Sequence, residues 1–371
     1  MKIDAVSEPA TPSEESRIDI LDGWRALSII LVLIAHWFPF PRVTQLNGVA
    51  GAAGMAIFFT LSGFLITRLL LKDQRFVPFL VRRLFRIVPL AWAAMLVLAL
   101  WNGADAATLA NNLLFLSNLP PADLMKGGAH LWSLCVEVHF YLGIAILVLV
   151  GGRRALYLCP LIMLAITGLR VADGEYVSIV TWHRVDEILA GATLALAYQH
   201  LEGRRIARFH SGYTVAVFIG FLAVSHPESG PLQYLRPYFA GLAVGLSLIS
   251  APRLVEALFV SRPASYVAQT SYAVYVVHGM LTATWLGGEH LEKWQKYALR
   301  PLLAAATFAI AHVSTFQFER RFIALGKWLL RPRAVPEPAT WLIRSLGTGA
   351  INQNAPHGAA GRVDEMPPTL P

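Results

Sequence analysis

Ten apolar stretches follow one another along this chain, each close to the length that crosses a lipid bilayer as a helix. A helix needs roughly 20 mostly apolar residues to cross a hydrocarbon core of about 30 Å, and shorter runs suffice if their ends reach the interface. The stretches are residues 20–38, 48–70, 87–103, 131–150, 155–171, 178–198, 211–226, 237–251, 265–286 and 300–318. We therefore predict an all-α integral membrane protein, a bundle of about ten transmembrane helices.

The composition excludes a soluble domain. Apolar residues make up 56% of the 371 residues and charged residues 15%, and the mean hydropathy is +0.53, whereas soluble domains carry about 25% charged residues. The net charge of +8 comes from short basic clusters between apolar runs, which fits membrane topology better than nucleic-acid binding. Cys135 and Cys159 lie inside apolar stretches without metal-ligand spacing, so no metal site or disulfide is predicted.

The charge distribution gives the predicted topology and domain boundaries. Residues 1–17 lack the basic region and apolar core of a signal peptide and are predicted to form a flexible cytoplasmic tail. With that end inside, the inner loops carry more than twice as many Lys and Arg residues as the outer loops, which places both termini in the cytoplasm. Residues 18–333 then form the transmembrane domain and 334–371 a disordered tail. The short, Asn-rich stretch 107–119 is predicted to be interfacial or re-entrant.

Ionisable side chains inside the predicted spans are functional candidates, because burying a charge in hydrocarbon costs at least a few kcal/mol. The helical rise separates Arg25 from His36 by about 16 Å, with Arg25 near the cytoplasmic side and His36 near the outer side. The same reasoning places Glu137, Arg184 and His278 in the outer half of the membrane. Depth alone therefore suggests that these three side chains converge with His36 in one outer pocket.

Each of these candidates also has a structural interpretation. His36 stands beside Trp37 and is equally compatible with a place in the aromatic belt at the membrane surface. Arg184 and Glu187 are three residues apart, the spacing of a structural ion pair within a helix. For His278 a structural role is the simpler interpretation.

A basic loop, FVPFLVRRLFRIVPLAW at residues 76–92, is predicted before the third apolar stretch. In it Arg82, Arg83 and Arg86 share one helical turn with apolar neighbours, a pattern that suits an anionic partner. Attraction to acidic lipid headgroups explains such a cluster as well.

Six motifs, taken in order, resemble those of the acyltransferase 3 family. They are IDILDGWRALSIILVLIAH at 18–36, GMAIFFTLSGFLIT at 54–67, VRRLFRIVPL at 81–90, LWSLCVEVHFYL at 131–142, HRVDEILAGATLAL at 183–196 and TSYAVYVVHGML at 270–281. The members of this family are bacterial membrane enzymes that O-acylate surface polysaccharides, lipopolysaccharide, Nod factors and some macrolides. The resemblance covers nearly all of residues 18–330, and its most specific part is an Arg and a His with ten residues between them, here Arg25 and His36.

The chain departs from the family pattern at two places. Val138 and His139 follow Glu137 where the family often has Glu-Glu-Gln, and the family's Glu-Arg-Pro ending is replaced by Glu-Arg-Arg at 319–321. We therefore carry over Glu137 as a catalytic residue but not His139.

The resemblance implies roles for the remaining candidates. His36 acts at the acyl-transfer centre, Arg25 supports the donor site or the first helix, and Arg82, Arg83 and Arg86 bind the phosphates of acyl-CoA. The expected substrate-pocket residues are Arg184, His278 and Ser62, the last lying within the second motif. No cofactor is expected to be held permanently, since acyl-CoA, most simply acetyl-CoA, is a donor co-substrate.

The chemistry expected of these residues is transfer of an acyl group to a hydroxyl group. His36 is the candidate general base, with Glu137 orienting the imidazole and Arg184 or a helix terminus stabilising the oxyanion. A covalent acyl-histidine intermediate on His36 remains an alternative.

The expected acceptor is a glycan or lipid-linked sugar. The expected location is the bacterial inner membrane among its lipids, and no oligomeric state is predicted. A transporter or flippase of a polar or lipid-linked substrate is the competing hypothesis, since intramembrane Glu, Arg and His also mark translocation paths.

Overall fold

The computed structural model describes residues 19–38, 40, 45–201, 210–288 and 290–331. These residues form helices joined by turns, without a β-strand among them, and the predicted all-α class is confirmed. The predicted tails, residues 1–17 and 334–371, lie outside the described part of the chain. All the elements named below belong to the unit that ends at Leu330.

Fourteen α-helices make up the described chain. They are α1 (Asp19–Trp37), α2 (Leu46–Lys72), α3 (Phe76–Asn102), α4 (Ala106–Leu113), α5 (Trp132–Ala155), α6 (Cys159–Asp173), α7 (Thr181–Arg184), α8 (Asp186–Leu201), α9 (Gly212–Val224), α10 (Arg236–Ser250), α11 (Arg253–Phe259), α12 (Arg262–Thr282), α13 (Lys293–Val313) and α14 (Arg320–Leu329). Each of the ten predicted apolar stretches overlaps at least one of these helices. The stretch predicted to be interfacial contains α4, which has only 8 residues.

Five helical segments are long and apolar enough to cross a membrane. They are Asp19–Trp37, Leu46–Lys72, Phe76–Asn102, Ala129–Asp173 and Lys293–Leu329. A sixth arises if Pro227–Ser250 and Arg253–Phe259, which meet at an angle of 99°, form one bent span. These segments, counted over the described residues, make the chain a multi-pass membrane protein, and the finer count of ten spans stays a prediction.

The segment from Ala129 to Asp173 contains two of the predicted stretches. Its helix is interrupted at Gly152, whose φ of 61° and ψ of −162° lie outside the helical region. This backbone conformation is open to glycine but not to residues with a side chain. The break falls between the predicted stretches 131–150 and 155–171, so the two helices α5 and α6 occur where two spans were expected.

The predicted basic loop before the third apolar stretch is wrong. Residues from Phe76 onward are already helical, and α3 continues without interruption through Pro89 to Asn102. Hydropathy excluded this first part because its arginines lower the local average, although one side of it is apolar. Phe79 is buried in the main core cluster, and Leu80 packs against that cluster. The arginines are therefore fixed on a continuous helix.

Helix α2 lies at the centre of the bundle, packing against α1, α5, α8 and α10. Its contact with α8 is very close, because Gly63 and Gly191 each face the backbone of the other helix. A Cβ atom added at Gly63 would stand 1.8 Å from the carbonyl oxygen of Ile188, and one at Gly191 1.8 Å from that of Thr60. Small residues at such crossings are typical of membrane helix pairs.

Candidate active site

A small cavity of about 60 Å³ lies between α1, α2, α3, α5 and α12. Apolar side chains such as Met55, Phe58 and Ile87 form much of its wall. Five predicted site residues line it: Arg25, Ser62, Arg83, Arg86 and Glu137. A mainly apolar pocket with a few convergent polar groups is the usual form of a small-molecule site. We call this space the central pocket.

Three arginines give the central pocket its positive charge. Arg25 comes from α1, and Arg83 and Arg86 come from α3, where a separation of three residues puts them on one face. None of the three forms a salt bridge with a carboxylate that the structure describes. Their guanidinium groups are therefore available to an anionic ligand, for which an arginine offers paired donors.

Arg82 does not join the other two arginines of its motif, so the expected three-residue cluster is only partly right. One residue along a helix turns the side chain by about 100°, which takes Arg82 off the pocket face. It is exposed and donates to Asp73, at 3.2 Å, and to the Pro78 carbonyl, at 3.0 Å. Asp73 lies between α2 and α3, and hydrogen bonds from Arg75 hold the pKa of its carboxyl group well below the ordinary value.

A second, larger and more open cavity of about 440 Å³ adjoins the first. The two share Arg25 and Arg86, and the second is also lined by Asp22, Gln269 and Arg320. An extended ligand entering past Arg320 would thus meet both shared arginines before reaching the central pocket. We call this second space the entry cavity.

Glu137 lies in the central pocket, 5% exposed. Its Oε1 accepts hydrogen bonds from the Ser62 hydroxyl at 2.6 Å and from the Tyr141 hydroxyl at 2.5 Å. The expectation that Glu137 orients the imidazole of His36 is therefore not supported by the contacts of the carboxylate. Depth along a helix does not specify the direction in which a side chain points around the helix axis, and Glu137 points toward the arginines.

His36 and His278 do meet, as depth suggested. His36 lies in the last turn of α1 and is exposed, whereas His278, on α12, is wholly buried. Their ring centroids are 5.1 Å apart. His36 Nδ1 is 2.8 Å from the Val32 carbonyl and His278 Nδ1 is 2.6 Å from the Tyr275 carbonyl. Because a carbonyl only accepts, both Nδ1 atoms donate, and in the neutral form of each ring the lone pair is on Nε2.

A third imidazole, that of His130, extends this pair. Its ring centroid is 4.5 Å from that of His278, and its Nε2 donates to the Val276 carbonyl at 3.1 Å. The sequence did not indicate His130 as an intramembrane residue, because it stands one residue before the fourth apolar stretch. The signal was its place directly before the LWSLCVEVHFYL motif. Among the described residues, no three His, Cys, Asp or Glu side chains are placed to hold a metal ion.

Hydrogen bonds tie the helix ends together around these imidazoles. Trp37 Nε1 donates to the Thr282 hydroxyl at 3.1 Å, and that hydroxyl donates to the His278 carbonyl at 2.6 Å. Arg300, on α13, donates to the carbonyls of Trp37 and Gly287. The ends of α1, α12 and α13 are thereby held at one place, which positions His36 against His278.

Arg184 lies in a separate buried ion cluster, which corrects its expected place beside His36. Its guanidinium pairs with Glu187 at 3.2 Å, and Glu187 also accepts from Arg236 at 2.8 Å. The Arg184 guanidinium packs over the rings of Phe59 and Trp132. The structural ion pair inferred from the i, i+3 spacing is therefore confirmed, and the contacts of Arg184 leave it no place in the central pocket.

The central pocket and the histidines are separated by a single layer of side chains. Val32 lines the pocket and accepts the hydrogen bond from His36. Tyr275 also lines the pocket, and its ring packs 5.4 Å from His130 and 5.5 Å from His278. Arginines without a salt bridge among the described residues thus lie at one end of this region, and the imidazoles lie at the other.

An all-helical bundle with bilayer-length apolar segments and charged side chains buried inside it defines a multi-pass membrane protein with a polar interior site. The chain belongs to the acyltransferase 3 family, since the family's Acyltransferase domain matches residues 18–315. The resemblance of the six motifs is thereby confirmed. No solved structure matches the chain.

The chain is similar to three curated proteins whose names describe acyl transfer. The chain is 25% identical over 350 residues to the peptidoglycan O-acetyltransferase OatA of Listeria monocytogenes, covering 80% of this chain and 54% of the relative. It is 26% identical over 306 residues to the putative peptidoglycan O-acetyltransferase YrhL of Bacillus subtilis, covering 70% and 47%. The putative membrane-bound transacylase BcsY of Komagataeibacter xylinus is 28% identical over 304 residues, covering 72% and 74%. The chain thus spans about half the length of the first two.

Proposed function

We propose that this protein is a membrane O-acyltransferase that moves an acyl group, most simply acetyl, from cytoplasmic acyl-CoA to a hydroxyl group of a surface or exported glycan. The observation that carries the proposal is the arrangement of the site. Unpaired arginines and an exposed imidazole with a free Nε2 lie on opposite sides of the layer that Val32 and Tyr275 form. The names of the curated relatives support O-acetylation of peptidoglycan or another polysaccharide as the reaction.

The proposed topology has ten spans and both termini in the cytoplasm, in the bacterial inner membrane. The overlap of all ten predicted stretches with helices and the backbone break at Gly152, between the stretches 131–150 and 155–171, support this count. In that orientation the entry cavity opens to the cytoplasm and His36 lies near the outer surface. A donor from inside and an acceptor from outside would then meet within one bundle.

The donor is proposed to bind with its phosphate groups at the arginines that the two cavities share. Arg25 and Arg86 line both cavities and Arg83 lines the central pocket, so the phosphates would stay near the entry while the pantetheine arm extends inward. Glu137 then has a different role from the one expected, because it lies among these arginines and is held by Ser62 and Tyr141. We propose that it orients the guanidinium groups and offsets part of their charge when the donor is absent.

The reaction is proposed to use the Nε2 of His36. In direct transfer, this nitrogen takes the proton of the acceptor hydroxyl as its oxygen attacks the thioester carbonyl. The C–S bond then breaks, and the thiolate takes the proton back from His36. In the covalent alternative, Nε2 itself attacks the thioester and carries the acyl group to the acceptor. Both routes require the lone pair that the hydrogen bond from Nδ1 to Val32 leaves on Nε2.

Thioester consumption tests the proposal against a transporter. Membrane vesicles containing the protein should release free CoA from acetyl-CoA when soluble peptidoglycan fragments are added, and His36→Ala should lower the rate at least about a hundredfold, the size of a general-base contribution. His200→Ala, an exposed histidine at the end of α8, is the matched control and should keep the wild-type rate. A transporter would release no CoA, and equal rates in the wild type and His36→Ala would remove His36 from the mechanism.

A further inference from the structure

His278 carries a polar atom whose environment has no structural explanation. The side chain is 0% exposed, and its Nε2 has no hydrogen-bond partner among the described atoms. A buried polar group without a partner costs roughly 1–3 kcal/mol, so such atoms are rare unless a function uses them. A purely structural histidine would be better replaced by an apolar residue at this position.

The protonation of His278 follows from its other nitrogen. Nδ1 donates to the Tyr275 carbonyl at 2.6 Å, one turn back along α12, so it keeps its proton in the neutral ring. Nε2 is therefore an unprotonated nitrogen. This is the same arrangement as in His36, whose Nδ1 donates to Val32. Each imidazole is thus fixed in the tautomer of a base.

The described groups that face His278 are two imidazoles and a phenol. His36 approaches from α1 with a centroid distance of 5.1 Å, and His130 from the turn before α5 with 4.5 Å. Tyr275 packs against it from α12 itself. No described carboxylate forms an ion pair or hydrogen bond with it. Within the described part of the chain, no acidic group holds a proton on His278, and its Nε2 can accept one.

We propose that His278 is a second catalytic base, which takes the proton of the acceptor hydroxyl while the acyl group is carried on His36. The inference rests on the proposed function and selects its covalent route. A histidine that is acylated on Nε2 has no lone pair left for the acceptor proton, so a separate base is required. The ring of His278 lies next to that of His36, with the ring centroids 5.1 Å apart, so a base is present beside the proposed acyl carrier.

The proposed reaction has two steps, acylation of His36 and transfer of the acyl group to the acceptor. In the first, His36 Nε2 forms a bond to the thioester carbonyl carbon, the C–S bond breaks, and CoA leaves as the thiolate. His36 is then an acyl-imidazolium, its Nδ1 proton still held by Val32. In the second, the acceptor oxygen forms the ester bond, the C–N bond breaks, and His36 returns to its neutral form. The acceptor proton moves to His278 Nε2 and from there to solvent or the thiolate.

A rapid-quench measurement of thiol release separates the two steps. The protein in detergent or nanodiscs is mixed with acetyl-CoA, with soluble peptidoglycan fragments as the hydroxyl acceptor or with hydroxylamine, a strong nucleophile that needs no base. His278→Gln and His278→Asn both remove the basic nitrogen, and Asn retains a donor near the position of Nδ1. We expect both variants to release about one thiol per protein in a burst and then to turn over the glycan acceptor at least about a hundredfold more slowly than the wild type.

Hydroxylamine provides the readout that a merely structural role would not produce. Because it attacks the acyl-imidazolium without losing a proton to a base, both His278 variants should turn it over within about threefold of the wild-type rate. His36→Ala should show neither burst nor turnover with either acceptor. His200→Gln is the matched control and should resemble the wild type throughout.

Four results would overturn the inference. Wild-type glycan turnover in His278→Gln would show that no second base is needed. Loss of the burst together with turnover in both variants would assign His278 to holding His36 in place. Failure of hydroxylamine to restore turnover would do the same. A wild-type protein that turns over without any burst would favour direct transfer and leave the proposed function intact, whereas no thiol release with either acceptor would overturn the proposed function itself.

Discussion

Backbone carbonyls decide the chemistry of individual residues in this site. His36, His278 and His130 each donate one ring N–H to a carbonyl of a helix, namely that of Val32, Tyr275 or Val276. Such a bond fixes which nitrogen keeps the proton, as the partners of catalytic and metal-bound histidines do elsewhere. In their neutral forms the three rings consequently present basic nitrogens, and none of the described acidic side chains forms an ion pair or hydrogen bond with them.

Gly279 creates the space in which His130 lies against α12. A Cβ atom at this position would stand 2.2 Å from His130 Nδ1, so Gly279→Ala must displace the imidazole. Overpacking of this kind costs about 1–3 kcal/mol, and we expect kcat for acyl transfer to fall about tenfold or more. Steady-state kinetics and a thermal unfolding scan of the purified variant check this.

The control for that substitution is Gly143→Ala on α5, where an added Cβ meets no atom within 4 Å. It should keep the wild-type kcat and be neutral or slightly stabilising, because alanine loses less backbone entropy than glycine in a helix. Equal activity in Gly279→Ala would show that the position of His130 does not matter for the reaction.

At the scale of elements, the direction of each side chain around α3 sorts its arginines. Arg83 and Arg86 face the central pocket, whereas Arg82 is turned to Asp73 and to the Pro78 carbonyl. The sequence motif by itself does not distinguish the three arginines. Because α3 is a continuous helix from Phe76, these arginines point in different directions around its axis.

Donor affinity should follow this division. Arg83→Gln and Arg86→Gln each remove a charged donor and should raise the KM for acetyl-CoA about ten- to a hundredfold, the effect of losing roughly 1.5–3 kcal/mol of charge-assisted hydrogen bonding. Arg82→Gln is the matched control and should change it less than about threefold, because exposed ion pairs contribute little. Initial rates over a range of acetyl-CoA concentrations measure both.

The outcome also decides between donor and lipid as the partner of these arginines. Equal effects of all three substitutions on membrane association, with no change in KM, would favour attraction to acidic headgroups. A large effect of Arg82→Gln on KM would contradict the side-chain directions described above.

At the scale of the whole molecule, two cavities and a row of imidazoles follow one path through the bundle. The entry cavity leads to Arg25 and Arg86, the central pocket extends to Val32 and Tyr275, and the histidines lie beyond them. The close crossing of α2 and α8 at Gly63 and Gly191 holds the centre of this bundle. A path of this form suits a substrate from each side of a membrane.

The orientation of that path can be measured by cysteine labelling in intact cells. The predicted topology puts the turn at residues 227–235 outside and α11 inside. Glu228→Cys should therefore react with a membrane-impermeant maleimide in intact cells, and Arg253→Cys only after permeabilisation. The native Cys135 and Cys159 are buried and should give little background. The reverse labelling pattern would show that the protein has the opposite orientation in the membrane, with His36 on the cytoplasmic side.

Much of this protein follows from its sequence. Apolar stretches of bilayer length determine an all-helical membrane fold, since a backbone in hydrocarbon must satisfy its own hydrogen bonds. The gap between the predicted stretches 131–150 and 155–171 coincides with the backbone break at Gly152, and the spacing of Arg184 and Glu187 predicted their ion pair. The ordered motifs predicted the family, and five of the expected site residues do lie in one cavity.

Only the tertiary structure decided how these residues are grouped. Position along a helix gives depth, but the direction of a side chain around the helix axis depends on the neighbouring helices. For that reason Glu137 joins Arg25 and not His36, Arg184 turns away to Glu187, and Arg82 leaves its motif. His130 and His278 come together because α12 and the turn before α5, far apart in sequence, pack side by side. The composition along the chain determines that the protein crosses a membrane, whereas the chemistry of its site depends on how the helices pack against one another.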